Sequence, residues 1–250
     1  MKDNNIFRFD PVLERYKSEE FLCLIKKWAG SLDKRKILKT DLQEEAFSED
    51  CILFSLSGNK ISVFAVDISE EVTKNACIRS LSKGFFQKYL TADVKKLPFK
   101  DNFFDLILST STLDHFVTEY ELTQSLVELK RVLKPDGIMI LTIQNKHNYP
   151  CCFILSLKRV FNLINYNIQS YSMDELVKVL QGAGLNIEQK DAIVHIINPA
   201  NSFLGLLRVI ASKESFDKIA NKLILFFHRL GKRKKSKWFT GWFIAAKCSK

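Results

Sequence analysis

Four short apolar runs, KILKT at 36–40, SVFAVD at 62–67, FFDLILST at 103–110 and IMILTIQN at 138–145, are separated by stretches with helical periodicity. Strands apolar throughout are buried on both faces, and connections long enough for a helix return the chain in the same direction. The alternation therefore predicts an α/β fold: a mostly parallel sheet with right-handed crossovers and helices on both faces. Function in such a sheet is expected at the carboxyl ends of the strands. A chain of 250 residues, 46% hydrophobic and 26% charged, suits one such domain better than two small ones.

The punctuation between the runs agrees. Asp10 and Pro11 open a helix whose apolar residues include Leu13, Tyr16, Leu24, Ile25 and Trp28, and Gly30 ends it. Residues 42–57 read as one helix, with Leu42, Ala46, Ile52, Leu53 and Leu56 apolar. Ser69 is placed to cap a helix carrying Glu70 and Glu71 in its first turn. FFQKYLTAD at 85–93 reads as extended. Thr118 with Glu121 has capping-box spacing for a helix over 118–133, which KPDG is expected to close. Ser172 with Glu175 repeats that spacing ahead of LNIEQKDAIVHII, and WFTGWFIAAK at 238–247 reads as the last strand.

Two stretches fall outside the alternation. Residues 149–168 and 201–230 are rich in Phe, Leu and Ile with interspersed Lys and Arg, and the second predicts amphipathic helices inserted before the last strand. The expected division is an N-terminal helical extension at 1–34, a core at 35–200 and 237–250, and a basic, apolar insertion at 201–236.

Three acids fall at strand ends: Asp67, Asp93 and Asp105. Asp67 is placed to take both ribose hydroxyls of a nucleotide, or else to cap the turn before Ser69. Asp93 is placed to accept from an adenine amine, whereas Asp105 starts its strand and reads as structural. Around these acids, ADVKKLPFKDNFFDLILSTSTLDHF at 92–116 followed by LVELKRVLKPDGIMILTIQN at 126–145 resembles the core of class I S-adenosylmethionine-dependent methyltransferases of the small-molecule, type 11-like kind. The resemblance runs from about 61 to 146 and continues into YSMDELVKVLQGAGL. It implies a Rossmann-like fold with a seven-stranded sheet, its last strand antiparallel, and S-adenosylmethionine as cofactor. Asp67 would hold the ribose, Ile68 would pack on the adenine, Asp93 and Val94 would receive its edge, and Ser109 and Thr110 would line the methionine and sulfonium end.

That family normally follows its first strand with a GxGxG turn, and this chain has none. Gly58 lies too close to the strand ending at Asp67 to leave room for a crossover helix. KILKT is therefore the first strand, and Thr40, Asp41 and Leu42 form its turn. Asp41 is the better candidate to meet the cofactor's ammonium group; Glu44 and Glu45 serve either that end or the helix dipole. A Cβ at each position limits how closely the backbone approaches a ligand.

For the methyl acceptor, His115 is the candidate general base, with a capping or packing role as its alternative. Asp114 either orients that ring or binds the acceptor, and one of the two adjacent residues is expected to be structural. Asn145 and His147 after the fifth strand are candidate acceptor contacts. Cys151 has no proline-cysteine partner motif after the fourth strand, which weighs against a cytosine-type nucleophile. The STST there also lacks an amino-methylating signature, so nucleic acid is a minor expectation despite a pI of about 9.2. Six cysteines without a CxxC pair predict reduced thiols and no metal site.

The net charge of +10, the basic run GKRKKSK at 231–237 and the apolar insertions complete the reading. Alongside the methyl transfer that the resemblance implies, they suit a small, lipophilic acceptor in the cytoplasm, with peripheral attachment to the inner, anionic face of a membrane and oligomerisation as further expectations. The rival reading is a non-catalytic, methyltransferase-like protein that binds a partner through its apolar insertion. A nicotinamide-dependent dehydrogenase is set aside because no GxGxxG precedes Asp67.

Overall fold

The computed structural model describes residues 11–33, 35–49, 51–56, 61–148, 169–195, 212–233 and 236–250. Asp10, Gly58, the stretch 149–168 with Cys151 and Cys152, the insertion up to 211, and Lys234 and Lys235 lie outside the described residues.

Strands β1 (Lys36–Thr40), β2 (Ser62–Asp67), β3 (Lys88–Thr91), β4 (Phe104–Thr110), β5 (Leu133–Gln144), β6 (Asn186–His195) and β7 (Gly241–Ser249) form one sheet in the order β3-β2-β1-β4-β5-β7-β6. Strands β1 to β5 pair in parallel, and β7 runs antiparallel to both β5 and β6. The expected fold is therefore the observed one. The order reverses direction at β1 and β4, and a crevice opens at such a switch point outside the carboxyl ends of the strands.

Helices α1 (Pro11–Ala29), α2 (Gln43–Phe47), α3 (Ile52–Leu56), α4 (Glu70–Ser82), α5 (Glu119–Val132), α6 (Met173–Gly182), α7 (Lys213–Gly231) and α8 (Lys237–Thr240) cover the sheet. One core gathers Phe21, Ile25, Ile37, Leu53 and Phe216, bringing α1, α3 and α7 onto one face. The other gathers Leu38, Phe104, Ile107, Leu126 and Leu180, bringing α5 and α6 onto the opposite face. Ile37 and Leu38 fall in different cores because successive residues of a strand point to opposite sides. Each fully buried side chain of this size contributes about 1.5–3 kcal/mol.

Four local expectations are corrected. The helix expected over 42–57 is two short helices, α2 and α3, since Ser48 leaves helical geometry at ψ 146 and the Arg79 guanidinium binds the freed carbonyls of Glu45 and Ser48. KPDG does not follow the helix as a loop. Strand β5 begins at Leu133, opposite Phe104, and a register shift between Phe104 and Leu106 absorbs the extra residues. The last strand begins at Gly241 rather than Trp238, because Trp238–Thr240 belong to α8. A Cβ at Gly241 would stand 2.8 Å from that of Ala192, so glycine lets β7 close on β6 there. The third strand is narrower than FFQKYLTAD, spanning Lys88–Thr91.

The caps stand as read. Ser69 accepts from the Val72 amide, Thr118 from Glu121, and Ser172 with Glu175 forms a reciprocal capping box. Asp105 ties three strands together, accepting from the Lys36 amide and the Lys134 ammonium.

Candidate functional site

At the switch point Thr40 pairs with Ser109 across β1 and β4. The Thr40 hydroxyl donates to Ser109 Oγ at 3.1 Å and meets Thr112 Oγ1 at 2.7 Å. Ser109 is fully buried and its hydroxyl is engaged in this cluster; Thr110 is buried opposite Thr142. Neither the role of Thr112 nor this hydroxyl cluster is visible in the sequence, because strand register brings together residues 72 positions apart.

Asp41 occupies the first loop position with φ 65°, the left-handed region that glycine favours. Aspartate tolerates it when its side chain bonds nearby backbone, and Asp41 Oδ1 accepts from the Gln43 amide at 2.9 Å. The turn thus has a glycine-type backbone without a glycine. Beneath it, the buried Lys39 ammonium donates to the Asp41 carbonyl, and to Glu45 Oε2 at 3.0 Å. Glu45 is fully buried and its Oε1 has no hydrogen-bond partner among the described residues. The sequence reading gave Glu45 to the ligand or the helix dipole, but it faces Lys39. Glu44 pairs with Lys17 of α1. Burial holds the Asp41 carboxyl up at about 6, with Asp67 adding to the rise and Lys39 and His115 opposing it.

Asp67 closes the other side of the turn. Its Oδ2 accepts from the Leu42 amide at 2.8 Å and its Oδ1 from the Ser69 amide at 2.9 Å. The two readings of this residue are therefore compatible: each oxygen spends one acceptor site on backbone and keeps another. Ile68 beside it is 71% exposed, an apolar plate next to a carboxylate. Asp93 is partly exposed at the end of β3, with Oδ1 accepting from the Lys95 amide and Lys95 Nζ at 3.7 Å from Oδ2. The Val94 side chain is buried in the core, which leaves its backbone for the crevice. An apolar plate, two carboxylates with acceptor sites to spare and a third carboxylate in a left-handed turn suit a ligand with an aromatic base, vicinal hydroxyls and an ammonium group.

After β4, Ser111 takes φ 54° and its amide reaches the Thr142 carbonyl at 3.1 Å. A short 3-10 turn, Leu113–His115, follows. It separates the two candidate catalytic residues. Asp114 is buried, its Oδ2 accepting from Ser111 Oγ at 3.1 Å and the Gln144 amide at 3.2 Å, and its carbonyl accepting from the Gln169 amide. Burial raises its carboxyl above the usual range, with His115 opposing. His115 is exposed and close enough to Asp41 and Asp114 to bias both carboxyls toward ionisation.

Asn145 is committed to architecture: its amide nitrogen donates to the Trp238 and Gly241 carbonyls, both at 2.8 Å, and its oxygen accepts from the His147 amide. His147 is half-buried, 6.1 Å from the Phe239 ring. With Asn145, Met173, Asp174, Lys190, Trp238 and Ile244 it lines a cavity of about 280 Å³, of mixed polar and apolar character. The described residues hold no cluster of three or more His, Cys, Asp or Glu able to bind a metal.

Residues 49–141 match the model of a methyltransferase domain family. The chain is 28% identical over 122 residues to the ubiquinone/menaquinone biosynthesis C-methyltransferase UbiE of Paraburkholderia phytofirmans, covering 49% of this chain and 46% of that protein. It thus spans about half the length of the curated relatives it matches. The fold is similar to a S-adenosylmethionine-dependent methyltransferase of Clostridium acetobutylicum (TM-score 0.60, 15% identity, 94% of this chain and 91% of that one). It is also similar to the [4+2]-cyclase SpnF (TM-score 0.59, 14% identity, 92% and 79%). Residues 49–141 thus match a methyltransferase domain, and the strand order with its crevice at β1 and β4 is the fold shared with S-adenosylmethionine-dependent methyltransferases, here with a glycine-free first turn.

Proposed function

We propose that this protein transfers a methyl group from S-adenosylmethionine to a small, lipophilic acceptor at the cytoplasmic face of a membrane. The observation that carries the reading is the set Asp41, Asp67 and exposed Ile68, gathered around the switch-point crevice. When bound, S-adenosylmethionine supplies a methyl group on a sulfonium, open to in-line displacement by an acceptor nucleophile. In this reading Ile68 packs on the adenine, Asp67 takes the ribose hydroxyls and Asp93 receives the adenine amine. Asp41 meets the ammonium group, where backbone approach would serve in a glycine-rich turn. The Thr112 hydroxyl, held by the buried Thr40 hydroxyl, would line the sulfonium end. A ring nitrogen of His115 takes the proton that the acceptor releases, and Asp114 fixes the turn that presents that ring. The cavity beside His147 and Trp238 takes the body of the acceptor. Support for an apolar acceptor comes from relatives named for ubiquinone and menaquinone biosynthesis.

The non-catalytic reading keeps one specific support: every turn position carries a Cβ, and a lysine and a glutamate fill the space below. A similar fold also serves a protein named as a cyclase. Calorimetry with S-adenosylmethionine and S-adenosylhomocysteine separates the readings. Micromolar binding that Asp67→Ala weakens by about 10–100-fold, with transfer of labelled methyl to a quinol-type acceptor, supports the enzyme. Absence of binding at millimolar cofactor overturns it.

A further inference from the structure

Helix α7 has two apolar faces, and the core uses one. Phe216, Ala220, Ile224 and Phe227 are buried, at the i, i+4 and i+3 spacing that seats a helix on a sheet. Leu225 and Phe226 point away, each 56% exposed. They recur with Lys222 and Arg229 at i, i+3, i+4 and i+7, so the four share one exposed stripe, and Lys232 and Arg233 extend it past the helix end. Lys222, Arg229, Lys232 and Arg233 have no acidic partner among the described residues. No acid occurs in the sequence from 218 through 237, so nothing on this segment neutralises them.

We infer that this face of α7 seats the protein on an anionic lipid bilayer, with Leu225 and Phe226 entering the headgroup boundary and the cations engaging lipid phosphates and carboxylates. An interfacial helix has this composition: large apolar side chains flanked by Lys and Arg whose stems reach out of the apolar layer. The face is a single convex helix, which suits a deformable sheet of diffuse negative charge better than the shaped surface of an acidic protein. Among the described residues no helix is long and apolar enough to cross a membrane. The inference rests on the lipophilic-acceptor reading for its purpose: such an acceptor partitions into the bilayer, and docking raises its concentration at the enzyme.

Flotation of the full chain with phosphatidylcholine vesicles, alone or with about 30% phosphatidylglycerol, tests it. The expected result is flotation with the anionic vesicles, weakened by salt, and none with the neutral ones. Each cation near such a surface is worth about fivefold in partitioning, so K222E/R229E should bind at least about 25-fold more weakly. L225S/F226S should lose binding even at low salt. Both variants alter exposed side chains, so unchanged melting temperature and cofactor affinity separate lost docking from lost fold. No flotation of the parent protein, or unaltered flotation of both variants, overturns the inference, as does capture by an acidic protein but by no vesicle. Flotation without cofactor binding would instead refute the enzyme reading and leave this one standing.

Discussion

The Asp67 carboxylate braces the turn after β1: Oδ2 accepts from the Leu42 amide while Oδ1 accepts from the Ser69 amide, so one side chain fixes the loops following two adjacent strands. Asp67→Ala should lower S-adenosylmethionine affinity by about 10–100-fold, the loss of one or two charge-assisted hydrogen bonds. It should also cost about 1–3 kcal/mol of stability, since both amides lose their acceptor. Titration calorimetry and urea denaturation read the two effects separately. A variant with lower stability but unchanged affinity would confine Asp67 to bracing.

Asp41 gives a pH dependence with a definite sign. Its carboxyl lies at about 6 in the folded protein against an ordinary 3.8, chiefly through burial. A raised acid stabilises the fold while protonated, so its contribution is complete below about 3.8 and is lost as pH rises through about 6. Asp41→Asn keeps a residue that tolerates the left-handed turn and removes the charge. The variant should melt higher than the parent at pH 7.5 and match it at pH 4, and it should bind S-adenosylmethionine more weakly at pH 7.5, with the difference shrinking toward pH 4 where Asp41 is protonated. Binding of an ammonium group beside Asp41 should release protons between pH 5 and 7, seen as a buffer-dependent calorimetric enthalpy.

Lys39 and Glu45 form an ion pair with side chains 2% and 0% exposed. Removing one partner leaves the other charged and buried, so Lys39→Met or Glu45→Leu alone should each cost about 3–5 kcal/mol. The double variant should recover most of that loss, because an apolar pair needs no desolvation of charge. It should not recover cofactor binding, since the Asp41 carbonyl loses the ammonium that anchors the turn. Chemical denaturation and calorimetry of the three variants form a double-mutant cycle that tests this coupling.

The parallel sheet was legible because its strands are apolar throughout and its crossover helices carry Ser69, Thr118 and Ser172 at their starts. The acids of the crevice were legible too, since Asp67 and Asp93 directly follow strand signals. The strand register was not. Thr40, Ser109 and Thr112 meet because β1 and β4 pair with one particular offset, and nothing local to either strand states it. The fate of Lys39 was hidden for a related reason. KILKT reads as a buried strand, but nothing local to it says how a lysine in a strand central in the sheet is neutralised, and the glutamate that does so is supplied by α2. The break between α2 and α3 depends on Arg79, more than 30 residues distant, and so escapes any reading of helical periodicity.

The adjacent pair Asp114 and His115 divides support from chemistry, and kinetics should show the division. His115→Ala removes an exposed ring, so the melting temperature should barely move while kcat falls by about 100–10,000-fold, the usual contribution of a positioned general base. Asp114→Ala deprives the Ser111 hydroxyl and the Gln144 amide of a buried acceptor, so stability should drop by about 1–3 kcal/mol. Its activity should fall less than that of His115→Ala, because the base is still present but poorly held. Asp114→Asn should restore part of the stability, since the amide oxygen still accepts one hydrogen bond. If His115→Ala leaves kcat intact, the acceptor needs no base here and alignment alone accounts for the rate.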